Sequence, residues 1–288
     1  MTLSNPRIAF FGSSLFSVII LDKLKEAGFL PTYIVTAPDR PKGRKLVLTP
    51  TEAKVWAEKN NLPILTPEKL DDVFCTALKE TGCDLFIVAS YGKIIPQKIL
   101  DIPTYKTLNV HPSLLPLLRG ATPLETAVLE DMRETGVTIM RMDAQMDHGP
   151  IIAQEKIHIA NWPLSAEALG RLLGAVGGTV LSKNIPLWIA GKINEVEQDH
   201  TRATFTKKIT KEDGRIDLDT DAYKNYLKFN AHKGWPTSYF FTDIGGKLTR
   251  IIITEAEYTD EKFIIKKVIP EGKKEILYSD FLKNNHRD

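Results

Sequence analysis

The sequence predicts an α/β protein: a mostly parallel sheet with helices on both faces, followed by a small β-rich barrel. Two observations carry that expectation. From residue 7 to about 183, short apolar runs alternate with segments of helical spacing, the pattern of a parallel sheet with crossover helices. After Ala190 the helical spacing gives way to short β-rich runs joined by tight turns. The expected division is a first domain at 1–190, a linker at 191–204 and a second domain at 205–288.

Residues 7–11 (RIAFF) read as a buried first strand, and FSVIILDKLKEAG after it has helical spacing ending at Gly28. Residues 31–36 form the second strand. Residues 37–50 (APDRPKGRKLVLTP) carry three prolines and the cations Arg40, Lys42, Arg44 and Lys45, and read as a loop with a basic tip. Thr51 then opens a helix. A short strand at 63–65, a helix at 67–81, a strong strand at 84–90 and a short helix at 97–100 follow.

Residues 107–110 form the next strand, and its end carries Asn109 and His111. Side chains alternate along a strand, so this amide and imidazole leave on one face. A loop bracketed by Pro112 and Pro116 comes next, with a helix at 123–130. Strands are expected at 136–142 and 151–159, joined by DAQMDHGP. A long helix starts at Ala166 with Ser165 as its N-cap. Segment 191–203 is polar and aperiodic. Beyond it lie a helix at 221–231 and strands at 238–242, 248–258 and 262–269, with Gly245-Gly246 marking a hairpin turn.

Composition excludes several classes. Net charge is +2, so a nucleic-acid face would have to come from local clustering. No apolar run approaches the roughly 20 residues that span a bilayer, and MTLSNPR lacks the order of a signal peptide. Cys75 and Cys83 have no neighbouring metal-ligand spacing, and they suit a reducing cytoplasm. A cytoplasmic monomer without metal or membrane attachment is the expectation. One glycine after the first strand is not a dinucleotide fingerprint, and no G-x-S-x-G elbow is present.

Of six histidines, only His111 sits at a predicted strand end beside another polar group. Asp147, in the turn DHGP, supplies a carboxylate at another strand end. Asparagine, histidine and aspartate together suit acyl transfer to an amine. Amide and imidazole N–H groups can stabilise an oxyanion, and a carboxylate can orient the imidazole. Spacing alone leaves Asp143 as a rival to Asp147, and His148 as a rival to His111.

The blocks NVHPSLLP (109–116), RGATP (119–123) and TGVTIM (135–140), with DHGP at 147–150, resemble the folate-dependent formyltransferases. PDRPKGR (38–44), YGKIIP (91–96), TKKI (206–209), DGRID (213–217) and GWPTSY (234–239) are similar to the branch of that family that acts on tRNA. The resemblance implies a Rossmann-like first domain and an OB-like second domain that grips tRNA. It implies that Asn109, His111 and Asp147 are catalytic and that Ser113, Leu114, Leu115 and Pro116 line the folate site. It also implies 10-formyltetrahydrofolate as donor and the α-amino group of initiator methionyl-tRNA as acceptor. The basic loop with Arg40, Lys42, Arg44 and Lys45 would meet the tRNA. The alternative acceptors are glycinamide ribonucleotide and an amino-sugar nucleotide. Relative to the family, the first turn (Gly12-Ser13-Ser14) lacks the usual Thr-Pro, and Lys45-Leu46-Val47 stands where a glycine and lysines are common.

Overall fold

The computed structural model describes residues 5–43 and 46–285. Its elements run β1 (Ile8–Gly12), α1 (Leu15–Glu26), β2 (Tyr33–Val35), β3 (Arg40–Lys42), β4 (Val47–Thr49), α2 (Glu52–Lys59), β5 (Ile64–Leu65), α3 (Asp72–Glu80), β6 (Leu85–Ala89), α4 (Gln97–Leu100) and β7 (Thr107–His111). They continue with α5 (Pro123–Leu129), β8 (Glu134–Arg141), β9 (Ile151–His158), α6 (Ala166–Ile189), α7 (Ala222–Ala231), β10 (Ser238–Ile244), β11 (Lys247–Thr259), β12 (Lys262–Pro270), β13 (Ile276–Leu277) and α8 (Tyr278–Asn285).

Seven strands form one sheet in the order β5-β2-β1-β6-β7-β8-β9. The pairs β5–β2, β2–β1, β1–β6 and β6–β7 are parallel, and β8 joins β7 antiparallel. The sheet is therefore mainly parallel, as its alternating strand and helix patterns predict. β1, β6 and β7 are buried along their whole length, because helices cover both faces and no polar alternation is needed. Strand order reverses around β1, so the carboxyl ends of β1, β6 and β7 open at the crevice where such sheets bind ligands.

Chain contacts divide the protein into two compact units. The first comprises residues 1–121, 135–157 and 170–205; the second comprises 122–134, 158–169 and 206–288. In the first unit, α6 seats its glycines closely: a Cβ on Gly177 would lie 2.7 Å from Val110, and one on Gly178 would lie 2.6 Å from Lys23 of α1. By length and composition α6 could cross a membrane; 33% of its apolar window is buried, and Gly177 and Gly178 seat it against Val110 and Lys23. Its helical run continues through Pro186 to Ile189.

In the second unit, β10 to β13 form a four-stranded antiparallel sheet in sequence order. Gly245 and Gly246 take positive φ at the β10–β11 turn, the conformation a two-residue hairpin requires. Phe229 of α7 and Phe281 of α8 share a core with Phe240, Ile251, Ile253 and Val268. Asp131 ties the loop after α5 to its own unit, accepting hydrogen bonds from Trp162 Nε1 (2.6 Å) and Tyr223 Oη (2.7 Å).

Two expectations change in detail. The basic loop at 37–50 contains a two-stranded antiparallel ladder, with Arg40 opposite Thr49 and Lys42 opposite Val47. Prolines at 38 and 50 flank this ladder, and Pro41 sits within it on a sheet that has no further strand to accept its missing N–H. The helix expected at 67–81 begins only at Asp72, because Asp71 caps it by accepting from Phe74 N at 3.1 Å.

Candidate active site

The end of β7 brings the sequence-predicted site residues Asn109 and His111 together. Asn109 and His111 are both buried, at 7% and 4% exposure, and they leave the strand on one face as the period of two dictates. Opposite them lies the turn between β8 and β9. Asp147 sits there with φ 49, a left-handed conformation uncommon for a residue with a side chain.

Asp147 Oδ1 lies 3.3 Å from Asn109 Nδ2 and 3.6 Å from His111 Nδ1. Its other oxygen, Oδ2, accepts the Gly120 backbone N–H at 2.8 Å. On the far side of the ring, His111 Nε2 is 2.9 Å from the Leu118 carbonyl oxygen. A carbonyl can only accept, so Nε2 carries a proton and donates. This assigns the tautomer, and it leaves Nδ1 as the ring atom that faces Asp147 and Asn109. Three functional groups thus converge on one point.

The rival residues are separated from that point by their own partners. Asp143 Oδ2 meets His148 Nδ1 at 2.7 Å, and its Oδ1 accepts from Gln145 N at 2.9 Å. His148 stacks on His200 with ring centres 4.0 Å apart. Geometry therefore brings Asp147, not Asp143, to His111.

The loop from 113 to 116 is pinned from β8 and β9. Thr138, directly across the ladder from His111, donates to Ser113 O at 2.7 Å and accepts from Leu115 N at 3.1 Å. Gln154 Nε2 donates to Leu115 O at 3.0 Å and to Thr138 Oγ1 at 2.9 Å. Ser113 Oγ donates to Leu117 O at 2.6 Å, so this buried hydroxyl holds its own loop together. Leu115 is buried too, while Leu114 and Pro116 stay partly accessible. The Leu115–Pro116 peptide bond is cis.

Several supporting residues escaped the sequence reading. Arg119, 3% exposed, directs Nη2 to Gln198 Oε1 at 2.6 Å and to His200 Nδ1 at 2.8 Å. Burial lowers its pKa from the ordinary arginine value, while the charges of Asp147 and Asp143 act to raise it. Thr204 Oγ1 accepts from Leu118 N at 2.8 Å, and Thr204 O accepts from Arg119 N at 2.9 Å. The polar, aperiodic run after residue 191 thus lies along the site. Its hydrogen bonds reach roughly 80 residues back in the chain, a separation that leaves no periodic trace.

Of the basic residues expected to meet nucleic acid, Arg40 is exposed and pairs with Glu68 at 2.6 Å. Lys42 lies on β3. Arg44 and Lys45 lie outside the described residues, as does the side chain of Lys42. A shallow groove lined by Leu15, Val18, Pro50, Val55 and Trp56 contains none of the site residues.

A family model described as Formyl transferase matches residues 6–185. A methionyl-tRNA formyltransferase of Chloroflexus aggregans is 41% identical over 259 residues, covering 88% of this chain and 82% of that protein. The chain belongs to the methionyl-tRNA formyltransferase family. The fold agrees. Methionyl-tRNA formyltransferase from Clostridium thermocellum superposes with a TM-score of 0.63 at 16% identity, over 92% of this chain and 98% of that one. HypX from Aquifex aeolicus, solved in complex with tetrahydrofolic acid, superposes with a TM-score of 0.68 at 16% identity. That match covers 99% of this chain, which spans 48% of HypX. The protein is a one-carbon group transferase, and Asn109 and His111 lie inside the matched family region with Asp147.

Proposed function

We infer that the chain transfers the formyl group of 10-formyltetrahydrofolate to the α-amino group of initiator methionyl-tRNA, giving N-formylmethionyl-tRNA for translation initiation. The observation that carries this reading is the 41% identity to a methionyl-tRNA formyltransferase across most of both chains. The convergence of Asn109, His111 and Asp147 at the end of β7 supports the reaction class.

The neutral amine attacks the formyl carbon, a C–N bond forms, and the carbonyl electrons move onto oxygen. An α-amino group titrates near 7.7–8.0 in peptides, and esterification of the carboxyl lowers this, so a sizeable neutral fraction exists near pH 7. Asn109 Nδ2–H is the donor for the developing oxyanion, joined by His111 Nδ1–H whenever the ring holds a second proton. Asp147 Oδ1 accepts the proton that the attacking nitrogen sheds and returns it to N10 of the folate, so that the C–N10 bond breaks as the carbonyl re-forms. Because Nε2 is committed to Leu118 O, all ring chemistry runs through Nδ1. The Gly120 N–H on Oδ2 keeps Oδ1 turned toward the donors.

The folate would lie beside Leu114 and Pro116, whose accessible apolar surface suits a flat heteroaromatic ring, while buried Ser113 and Leu115 hold the wall in place. Arg40, Lys42, Arg44 and Lys45 would meet the tRNA backbone, with the second domain gripping the rest. The reading includes a monomer acting in the cytoplasm, without metal or membrane attachment.

Purified protein given 10-formyltetrahydrofolate and charged initiator tRNA is expected to yield formyl-methionyl-tRNA. Formylation of glycinamide ribonucleotide or an amino-sugar nucleotide, with none of the tRNA, would overturn the assignment.

A further inference from the structure

We propose that Gln198 and Arg119 are positioning residues for the Asp147 carboxylate, acting as a relay that holds the turn between β8 and β9. This rests on the catalytic reading of Asp147 given above.

The chemistry fixes the orientation of Gln198. Arginine can only donate, so the oxygen of the amide must face Arg119, where Oε1 lies 2.6 Å from Nη2 and 3.2 Å from Nε. The amide nitrogen is thereby turned the other way. It donates to two backbone carbonyls, Gly149 O at 2.7 Å and Asp147 O at 3.0 Å. Both carbonyls only accept, so no flipped amide satisfies the set. Gln198 is 5% exposed and Arg119 is 3% exposed, so water cannot readily substitute for either partner.

The turn needs such a hold. Asp147 takes a left-handed φ of 49, a conformation that costs a residue with a Cβ. Gly149 comes so close to Arg141 O that a Cβ there would sit 2.0 Å from that oxygen. The turn is thus tight against β8 on one side and clipped by Gln198 on the other. From that clipped backbone, the Asp147 side chain reaches Asn109, His111 and Gly120. Arg119 and Gly120 are adjacent, so one short stretch supports Asp147 twice: directly through the Gly120 N–H and at one remove through Gln198.

Only a neutral amide can do this. A glutamate at 198 would keep the arginine contact and lose both donations, placing a carboxylate against two carbonyl oxygens. Gln198→Glu therefore separates positioning from the Arg119 contact.

The test is the full-length protein carrying Gln198→Glu, with Arg119→Lys as a second variant that keeps the charge and loses the fork. Two readouts are taken on folded protein, verified by melting temperature. One is kcat and KM for both substrates. The other is hydrogen exchange at the Gly120 amide, which reports the Asp147 Oδ2 contact without any turnover. We expect kcat to fall by about 10²-fold, the scale of a misplacement near 1 Å. KM for folate should change less than threefold, and Gly120 exchange should accelerate. Unchanged exchange at Gly120 in both variants overturns the relay, whatever happens to kcat. Accelerated exchange with an unchanged kcat instead overturns the catalytic reading of Asp147 and leaves the relay standing as structure. If Gln198→Glu does not fold, Arg119→Lys is read by the same two measurements.

Discussion

Gly120 donates its backbone N–H to Asp147 Oδ2 at 2.8 Å, which leaves Oδ1 of the same carboxylate facing Asn109 and His111. A carboxylate held at one oxygen by a peptide group can offer the other to substrate without rotating. Fixed peptide and side-chain dipoles of this kind are what electrostatic stabilisation of a transition state relies on.

Removing a donor from that set has a defined cost. Asn109→Ala and His111→Ala are each expected to lower kcat by about 10²–10³-fold, the usual effect of losing one oxyanion donor. Binding of tRNA, followed by filter retention, should stay within threefold of the parent. A parallel collapse of tRNA binding would assign these residues a structural role instead.

Gly149 has no room for a side chain. A Cβ there would fall 2.0 Å from Arg141 O, in a residue held by its own N–H donating to Pro150 O at 3.0 Å and by pairing with Leu108 of β7. Gly149→Ala is expected to destabilise the first unit by about 1–3 kcal/mol, as overpacking does. A thermal melt within a degree of the parent would show that the turn can relax, contrary to this prediction.

His232 is expected to make the second unit sensitive to acid. It is 1% exposed, and neither ring nitrogen has a hydrogen-bond partner among the described residues. Burial lowers its pKa from 6.5 to about 4, with Lys228 adding to the shift and Asp213 opposing it. A depressed folded-state value favours the neutral ring, so its contribution is intact above pH 6.5 and is lost as pH falls toward 4. The shift corresponds to about 3 kcal/mol when complete, and to about 2 kcal/mol at pH 5. His232→Phe should flatten urea stability between pH 7 and 5. If the parent's urea midpoint does not move over that interval, the buried neutral histidine is not the cause of acid sensitivity.

The basic segment at 37–50 supplies a salt-dependent test. Arg44→Ala should raise KM for methionyl-tRNA while leaving KM for the folate unchanged. The dependence of log affinity on log salt should drop by about 0.7–0.9 if one phosphate contact is lost. An unaltered salt slope together with unaltered tRNA kinetics would take Arg44 out of the interface. Glu68→Gln, which frees Arg40 from its 2.6 Å ion pair, is expected to act in the opposite direction.

Most of the fold was legible in the sequence. β1, β6 and β7 announce themselves as apolar runs bounded by Gly or polar turns, and α2 starts where Thr51 can cap it, accepting from Lys54 N at 3.1 Å. The β3–β4 ladder was not legible. Its strands are three residues long and carry two cations and a proline, too short and too polar for a period of two to register.

By itself, the sequence determined that an amide and an imidazole leave β7 on one face, because alternation along a strand is a local property of the backbone. It also carried the family resemblance that names the reaction. The resemblance pointed to Asp147 as the carboxylate they meet, and tertiary structure supplies the physical reason. Asp143 and Asp147 sit four residues apart in one turn with similar local context, and spacing could not separate them. The choice depends on Gly120 and Gln198, which reach that turn from elsewhere in the chain, and on His148, which holds Asp143 within the turn. Hydrogen bonds closing loops of 27 and 49 residues are set by how the sheet brings strand ends together, and no local pattern encodes them.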